Sequence, residues 1–126
     1  VDAACSGNPG PMEYRGVHIP SGKEIFRFGP IQGTNNIGEF LAIVHGLALM
    51  EQKGIRMPIY SDSVSGQAWV RNKKAKTTLE RNEQTAQALD LVARAENWLR
   101  THNSTIPILK WNTEEWGEIP ADFGRK

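Results

Sequence analysis

Cysteine is nearly absent from the 126-residue sequence, and neither sign of charge is in clear excess. The single cysteine, Cys5, cannot close a disulfide within the chain, which favours a reducing cell interior over secretion. Fifteen basic and fourteen acidic residues leave a formal charge of +1. Bulk charge therefore neither demands nor excludes a nucleic-acid partner. We expect a cytoplasmic protein whose partner is indicated by local clusters of charge.

Long hydrophobic runs are also missing. The longest, "FLAIVHGLALM", is interrupted by His45 and is shorter than the ~20 residues of a membrane-spanning helix. With 39% hydrophobic residues, the chain is long enough for one compact domain and short for two. We therefore expect a soluble single domain over residues 1–126. The opening Val1 and Asp2 resemble the last step of a buried strand, so we also expect the domain to be trimmed at its N-terminus from a longer chain.

Changes in hydrophobic period divide the first half of the chain into strands and a helix. The segments "EYRGVHI" and "EIFRF" flank the turn-like "PSGK", which predicts an antiparallel hairpin. In "NNIGEFLAIVHGLALMEQKG" the apolar residues recur at helical spacing. We expect Asn35 or Asn36 to cap the start of this helix and Gly54 to stop it.

The second half predicts a strand in "MPIYSD", a helix "SVSGQAWV" capped by Ser63, and a second long helix from about Asn82 to Thr101. A strand "TIPILKW" follows, and Ile119–Pro120 resembles the entry to a last helix. The order predicts an α/β fold with a mixed five-stranded sheet flanked by helices. Its antiparallel hairpin comes first, and its parallel strands are joined by right-handed helical crossovers.

Four acidic residues fall where such a sheet gathers its functional groups, at the carboxyl ends of parallel strands and at helix starts. They are Asp2, Glu39, Asp62 and Asp122. Each alone has a simple explanation, as a helix-start residue or a strand end. Together they would repel one another unless a cation is present. Mg²⁺ binds carboxylates and substrate phosphate, and two ions about 3.5–4 Å apart promote phosphodiester cleavage. We interpret the set as a two-metal site with Asp2 at its centre.

Four motifs occur in order along the chain: "VDAACSGNPG", "GTNNIGEF", "YSDS" and "WGEIPADFGRK". Together they resemble the type 1 ribonuclease H catalytic domain, over the whole chain. The resemblance is to the bacterial branch in which this domain often follows a hybrid-binding domain, and an upstream domain of that kind is expected here. It implies a ribonuclease H-like fold, a monomer, and endonucleolytic cleavage of the RNA strand of RNA/DNA hybrids with 5′-phosphate and 3′-hydroxyl products.

The resemblance also implies roles for the acidic residues. Asp2 would bridge two Mg²⁺ ions, for which Mn²⁺ can substitute. Glu39 and Asp62 would serve the metal on the leaving-group side, and Asp122 would complete the shell of the other. Glu118 would act near that second metal and in product release. This role explains why the tail carries two acids around Pro120, although acids at a helix start are the simpler explanation.

Further positions are implied as nucleic-acid contacts. The RNA strand would meet the loop "CSGNPG" and the start of the first helix, through Cys5, Gly7, Asn8, Pro9, Asn35 and Glu39. The DNA strand would meet a phosphate pocket and a packed aromatic ring, through Thr34, Asn36, Trp69, Thr77 and Thr78. Trp69 has an alternative explanation as a core residue. The basic run from Arg71 to Lys76 is either a solvated loop or a track for the phosphate backbone.

Two positions depart from the family pattern. Val64 stands where relatives commonly have glutamine, and Cys5 replaces a common serine. No loop histidine precedes the last acid, and we interpret His18, His45 and His102 as structural. Two other classes remain open: a hybrid-binding module without catalysis, and another nuclease or strand-transfer enzyme of the same fold.

Overall fold

The computed structural model describes residues 1–123. Within them lie five strands and four helices, in the order β1 (Asp2–Cys5), β2 (Gly10–His18), β3 (Lys23–Gly33), α1 (Asn35–Lys53), β4 (Ile59–Ser61), α2 (Val64–Asn72), α3 (Ala86–Thr101), β5 (Ile108–Lys110) and α4 (Thr113–Trp116). No helix in this part of the chain is both long enough and apolar enough to cross a membrane.

The strands form two hydrogen-bonded groups. Strand β2 runs antiparallel to both β1 and β3, and β4 runs parallel to β5. The N-terminal amine of Val1 donates to the carbonyl oxygen of Tyr60 at 2.9 Å, which brings the start of β1 beside β4. The predicted mixed α/β architecture is confirmed, with an antiparallel hairpin, parallel strands and flanking helices.

Helix α1 is the centre of the core. Its residues Ile37, Phe40 and Ile43 are fully buried. Gly38 lets the helix approach the sheet closely, because a Cβ there would lie only 2.8 Å from the Cβ of Ala3 and 2.9 Å from the Sδ of Met12. This close approach brings the next residue, Glu39, against β1.

Two predicted helix starts were wrong by a few residues. Thr34, not Asn35 or Asn36, caps α1: it has extended backbone and its side chain accepts from the amide of Ile37. Helix α3 begins at Ala86 rather than near Asn82. The side chain of Asn82 instead accepts backbone amides of the following turn, and short polar side chains commonly compete with helix in this way.

The predicted helix entry at Ile119–Pro120 was also wrong within the described residues. The amide of Asp122 donates to the carbonyl of Ile119 at 2.8 Å, which closes a turn. The short helix α4 lies earlier, capped by Asn112, and Gly117 with φ of 76° follows it. Burial of Ile119 and Ala121 fixes the turn against the body of the domain.

A histidine and a tyrosine are hydrogen-bonded inside the fold. The Tyr14 hydroxyl lies 2.9 Å from Nδ1 of His45, and Phe26 stacks on the imidazole with ring centroids 4.2 Å apart. Burial lowers the pKa of His45 and raises the pKa of Tyr14 to about 12. The structural role expected for His45 agrees with this packing.

The buried imidazole predicts a loss of stability in acid. The unfolded chain binds a proton at His45 near pH 6.5, whereas the folded chain binds it only at lower pH. Stability from this residue is therefore complete above the unfolded pKa and is lost as pH falls. We expect the melting temperature to fall less between about pH 7.5 and about pH 5.5 in His45→Gln than in the unmodified chain. His18→Gln, in the hairpin, is the control, and equal slopes for all three proteins would contradict the prediction.

Candidate active site

Three acidic side chains meet at one edge of the fold. The carboxylates of Asp2, Glu39 and Asp62 each offer an oxygen, and these oxygens lie within 4.8 Å of one another. They come from β1, from the early part of α1, and from the residue that follows β4. Asp2 and Glu39 are 0% and 1% exposed. Three of the five predicted catalytic acids are thus brought together.

Glu39 is positioned by contacts on two sides. The backbone amide of Ala3, next to Asp2, donates to its Oε1 at 3.2 Å. On the other side Gly66 of α2 lies so close that a Cβ there would be 3.1 Å from the Cβ of Glu39. A larger residue at position 66 would push α2 away from the cluster.

Asp62 is held by the junction between β4 and α2. Ser63 caps α2 and accepts from the amide of Gly66 at 2.9 Å. The side-chain amide of Gln67 donates to the carbonyls of Ser61 and Ser63, at 3.1 and 3.2 Å. The backbone on both sides of Asp62 is therefore fixed, and the carboxylate is directed into the cluster.

The donor set fits a divalent cation. Carboxylates so close to one another repel, and the repulsion is stronger for buried groups. Oxygen donors of this kind suit Mg²⁺ or Mn²⁺, which would offset the repulsion. The described residues therefore include a site that could hold a metal ion.

The two acids of the tail do not join this cluster within the described residues. Glu118 is exposed, and Asp122 is half-buried. The guanidinium of Arg15 donates to the backbone carbonyls of Ala121 and Asp122, at 2.7 and 2.6 Å. Arg15 pairs with Asp2 across the antiparallel ladder, and directly paired residues lie on the same face of a sheet. The tail is therefore fixed on the face to which Asp2 belongs.

A cavity of about 700 Å³ collects most of the predicted nucleic-acid contacts. Its lining includes all five residues assigned to the DNA strand and three assigned to the RNA strand: Thr34, Asn36, Trp69, Thr77, Thr78, Asn8, Pro9 and Asn35. Trp69 is only 8% exposed and packs edge-on against Phe40, so it is a core residue as well as a wall of the cavity.

The loop before β2 is packed against the start of α1. The side chain of Asn8 accepts from the amide of Asn35 at 2.9 Å. Gly7 has φ of 106°, and a Cβ on Gly10 would lie 2.3 Å from the carbonyl oxygen of Ser6. The thiol of Cys5 points at carbonyls of the same loop and of Gly33. The loop is thus fixed beside the cavity, although Cys5 and Gly7 do not line it.

The basic segment after α2 is anchored by a buried acid. The carboxylate of Glu96, on α3, accepts from the amide of Ala75 at 2.9 Å and lies 3.8 Å from the ammonium of Lys74. Lys76, the next basic residue, lines the cavity. Sequence reasoning missed both Glu96 and Arg15, since each acts through a contact distant in the chain. The only signal was an acidic residue on the buried face of an amphipathic helix.

Together these features define the class of a nuclease: an α/β domain with a metal-binding acidic cluster beside a cavity of hydroxyl, amide and ammonium groups. Comparison with known proteins gives the family. The family model for RNase H matches residues 1–110, and the chain therefore belongs to the RNase H family. The match ends before Glu118 and Asp122.

Named relatives agree with this assignment. A ribonuclease H of Neorickettsia sennetsu is 32% identical, with 100% of this chain and 88% of that protein covered. A ribonuclease H of Trichodesmium erythraeum is also 32% identical, with coverage of 98% and 92%. A ribonuclease H of Brucella ovis has the same identity over 81% of this chain. The chain is therefore an enzyme, a hydrolase of the ribonuclease class, as the sequence motifs predicted.

Proposed function

We propose that this domain cleaves the RNA strand of RNA/DNA hybrids endonucleolytically, at the cluster formed by Asp2, Glu39 and Asp62, and leaves 5′-phosphate and 3′-hydroxyl ends. The observation that carries the proposal is the meeting of these three carboxylates beside the cavity. Asn35 and Asn36 of α1 line the cavity, and Glu39 lies one turn further along the same helix. A duplex bound in the cavity would thus reach the acids.

The cavity offers the groups that a hybrid requires. The hydroxyls of Thr77 and Thr78 and the amide of Asn36 suit one phosphate of the DNA strand, with Lys76 supplying positive charge. Backbone amides and short polar side chains of the loop at Asn8 suit the 2′-hydroxyls that distinguish RNA from DNA. We infer recognition of both strands, with little dependence on base sequence.

In the proposed mechanism the acids hold two Mg²⁺ ions, for which Mn²⁺ can substitute, and the ions stabilise charge on the reacting phosphate. Asp2 lies between Glu39 and Asp62 in the proposed bridging role. Asp122, fixed in the tail by Arg15, and the exposed Glu118 are proposed to act on the second ion and in product release. We further propose that the enzyme is a cytoplasmic monomer and that a hybrid-binding domain precedes it in the full-length chain.

The direct test compares cleavage of three duplexes of equal length: an RNA/DNA hybrid, duplex RNA and duplex DNA. We expect metal-dependent cleavage of the hybrid alone, with 5′-phosphate on the products and no turnover in excess chelator. Cleavage of duplex DNA would favour a different nuclease of the same fold. Binding of the hybrid without turnover in Mg²⁺ or Mn²⁺ would indicate a module without catalysis.

Thr78→Ala tests the proposed phosphate pocket. The hydroxyl lies in the cavity wall, and a lost hydrogen bond to a charged group costs about 1.5–3 kcal/mol. We therefore expect kcat/KM on the hybrid to fall by roughly 10-fold to 100-fold, mainly through KM, with little change in melting temperature. Thr105→Ala, at an exposed position outside the cavity, is the matched control. A melting temperature that falls in step with activity would contradict the assignment.

A further inference from the structure

A second cavity, of about 620 Å³, lies between β2, α1 and β4 and is mainly apolar. Its walls include Val17 of β2, Gly46 and Met50 of α1, and Ile59 of β4, with Ile119 of the tail closing one side. Val1 lies at its edge. We call this cavity the strand groove.

One wall of the strand groove is an incomplete strand edge. The ladder between β1 and β2 reaches Asp2 opposite Arg15, whereas β2 remains paired with β3 as far as His18 opposite Lys23. Over Gly16–His18, therefore, the described strands pair with β2 only on the β3 side. The other side of this stretch faces the groove, in direct continuation of β1.

The facing wall is the edge of β4. The amide of Ile59 donates to Pro107, and the carbonyl of Ser61 accepts from Trp111, so both groups point toward β5. Backbone groups of successive strand residues point to opposite edges. The amide and carbonyl of Tyr60 therefore point toward β1, and this carbonyl accepts from the amine of Val1 at 2.9 Å. The amide of Tyr60 points along the same edge into the groove.

We propose that the strand groove seats an extended apolar peptide segment joined to the amino group of Val1, as a strand between β2 and β4. The segment would run antiparallel to β2 and parallel to β4. In the parallel hydrogen-bond pattern, the bond from Val1 to Tyr60 assigns the amide of Tyr60 to the carbonyl of the second residue before Val1. A peptide bond at Val1 keeps its N–H and so keeps the existing hydrogen bond.

The groove also specifies the composition of the segment. A strand covered on both faces is apolar at successive positions rather than at alternate ones. Here α1 covers one face, with Gly46 leaving room for a side chain, and Ile119 covers the other. We therefore infer a run of about four to six β-branched residues, the usual length of a short strand.

Such a strand would join the two hydrogen-bonded groups into one sheet, in the order β3, β2, β1, β4, β5. Asp2 and Asp62 lie on β1 and directly after β4, so the same pairing would fix two members of the acidic cluster relative to one another. The inference concerns folding of the domain and stands whether or not the proposed substrate is correct.

The test uses three chains: the sequence as it stands, the same chain with about five alternating valine and isoleucine residues before Val1, and a matched chain with the same number of glycine and serine residues. Melting temperature, amide hydrogen exchange and size-exclusion chromatography are measured on each. We expect the apolar extension alone to raise the melting temperature by several degrees and to slow exchange at Tyr60 and Val17 at least about tenfold, in a monomer.

A fourth chain combines the apolar extension with Gly46→Leu, which narrows the groove because a Cβ at position 46 already lies 3.1 Å from Ile59. Relative to Gly46→Leu without the extension, the gain in melting temperature should be largely lost. Equal stability of the apolar and glycine–serine chains, unchanged exchange at Tyr60, or a gain that accompanies dimerisation would each overturn the proposal.

Discussion

Asp62→Asn is expected to reduce kcat for hybrid cleavage by about 1,000-fold or more while hybrid binding survives. Metal ions stabilise the charge of the transition state by several kcal/mol, and each 1.4 kcal/mol changes the rate about tenfold. An asparagine retains the shape of the side chain but loses the negative charge that would hold the ion. The contacts that line the cavity lie on other residues, so the affinity for hybrid should change little.

The position of Asp62 makes this variant a clean test. The surrounding junction is fixed by backbone contacts of Ser61 and Ser63, which the substitution leaves in place. Asp90→Asn is the matched control, because Asp90 is exposed on α3 and pairs with Arg81 at 3.0 Å, outside the acidic cluster. The measurements are single-turnover cleavage and hybrid binding in Ca²⁺ or chelator. Retained turnover in Asp62→Asn would refute the metal assignment.

Local sequence signals predicted the elements that position the site. The helical spacing of apolar residues in α1, the cap at Ser63 and the acid after the strand "IYS" rest on interactions within a few residues, and the structure has each of them. The convergence of Asp2, Glu39 and Asp62 followed from topology, since the carboxyl ends of parallel strands share one edge.

The remaining features depend on contacts that are distant in the sequence. Burial of Ile119 and the bonds from Arg15 to the tail carbonyls favour a turn where proline and two acids had suggested a helix. Likewise, several short polar residues stand at the start of α1, and tertiary packing of Asn8 on Asn35 leaves Thr34 as the cap. The N-cap of α4 at Asn112 was a local signal that could have placed the last helix correctly.

Asp2→Asn is expected to stabilise the metal-free domain and to remove most of its response to metal. Asp2 and Glu39 are both fully buried and belong to one cluster of carboxylates, so their charges repel without a cation. Neutralising one of them should raise the free energy of unfolding in chelator by about 1–2 kcal/mol, or the melting temperature by about 3–8 °C. Loss of function accompanied by a gain in stability is typical of active sites.

The response to metal should change in the opposite sense. A cation that binds only the folded domain adds about 2.7 kcal/mol at 100 times its dissociation constant, so Mg²⁺ or Mn²⁺ should raise the melting temperature of the unmodified chain. In Asp2→Asn the same titration should give a much smaller rise, because the proposed bridging oxygen is lost. Asp90→Asn should match the unmodified chain in both conditions. If Asp2→Asn melted lower in chelator and responded fully to metal, the buried carboxylate would serve the fold instead of a cation.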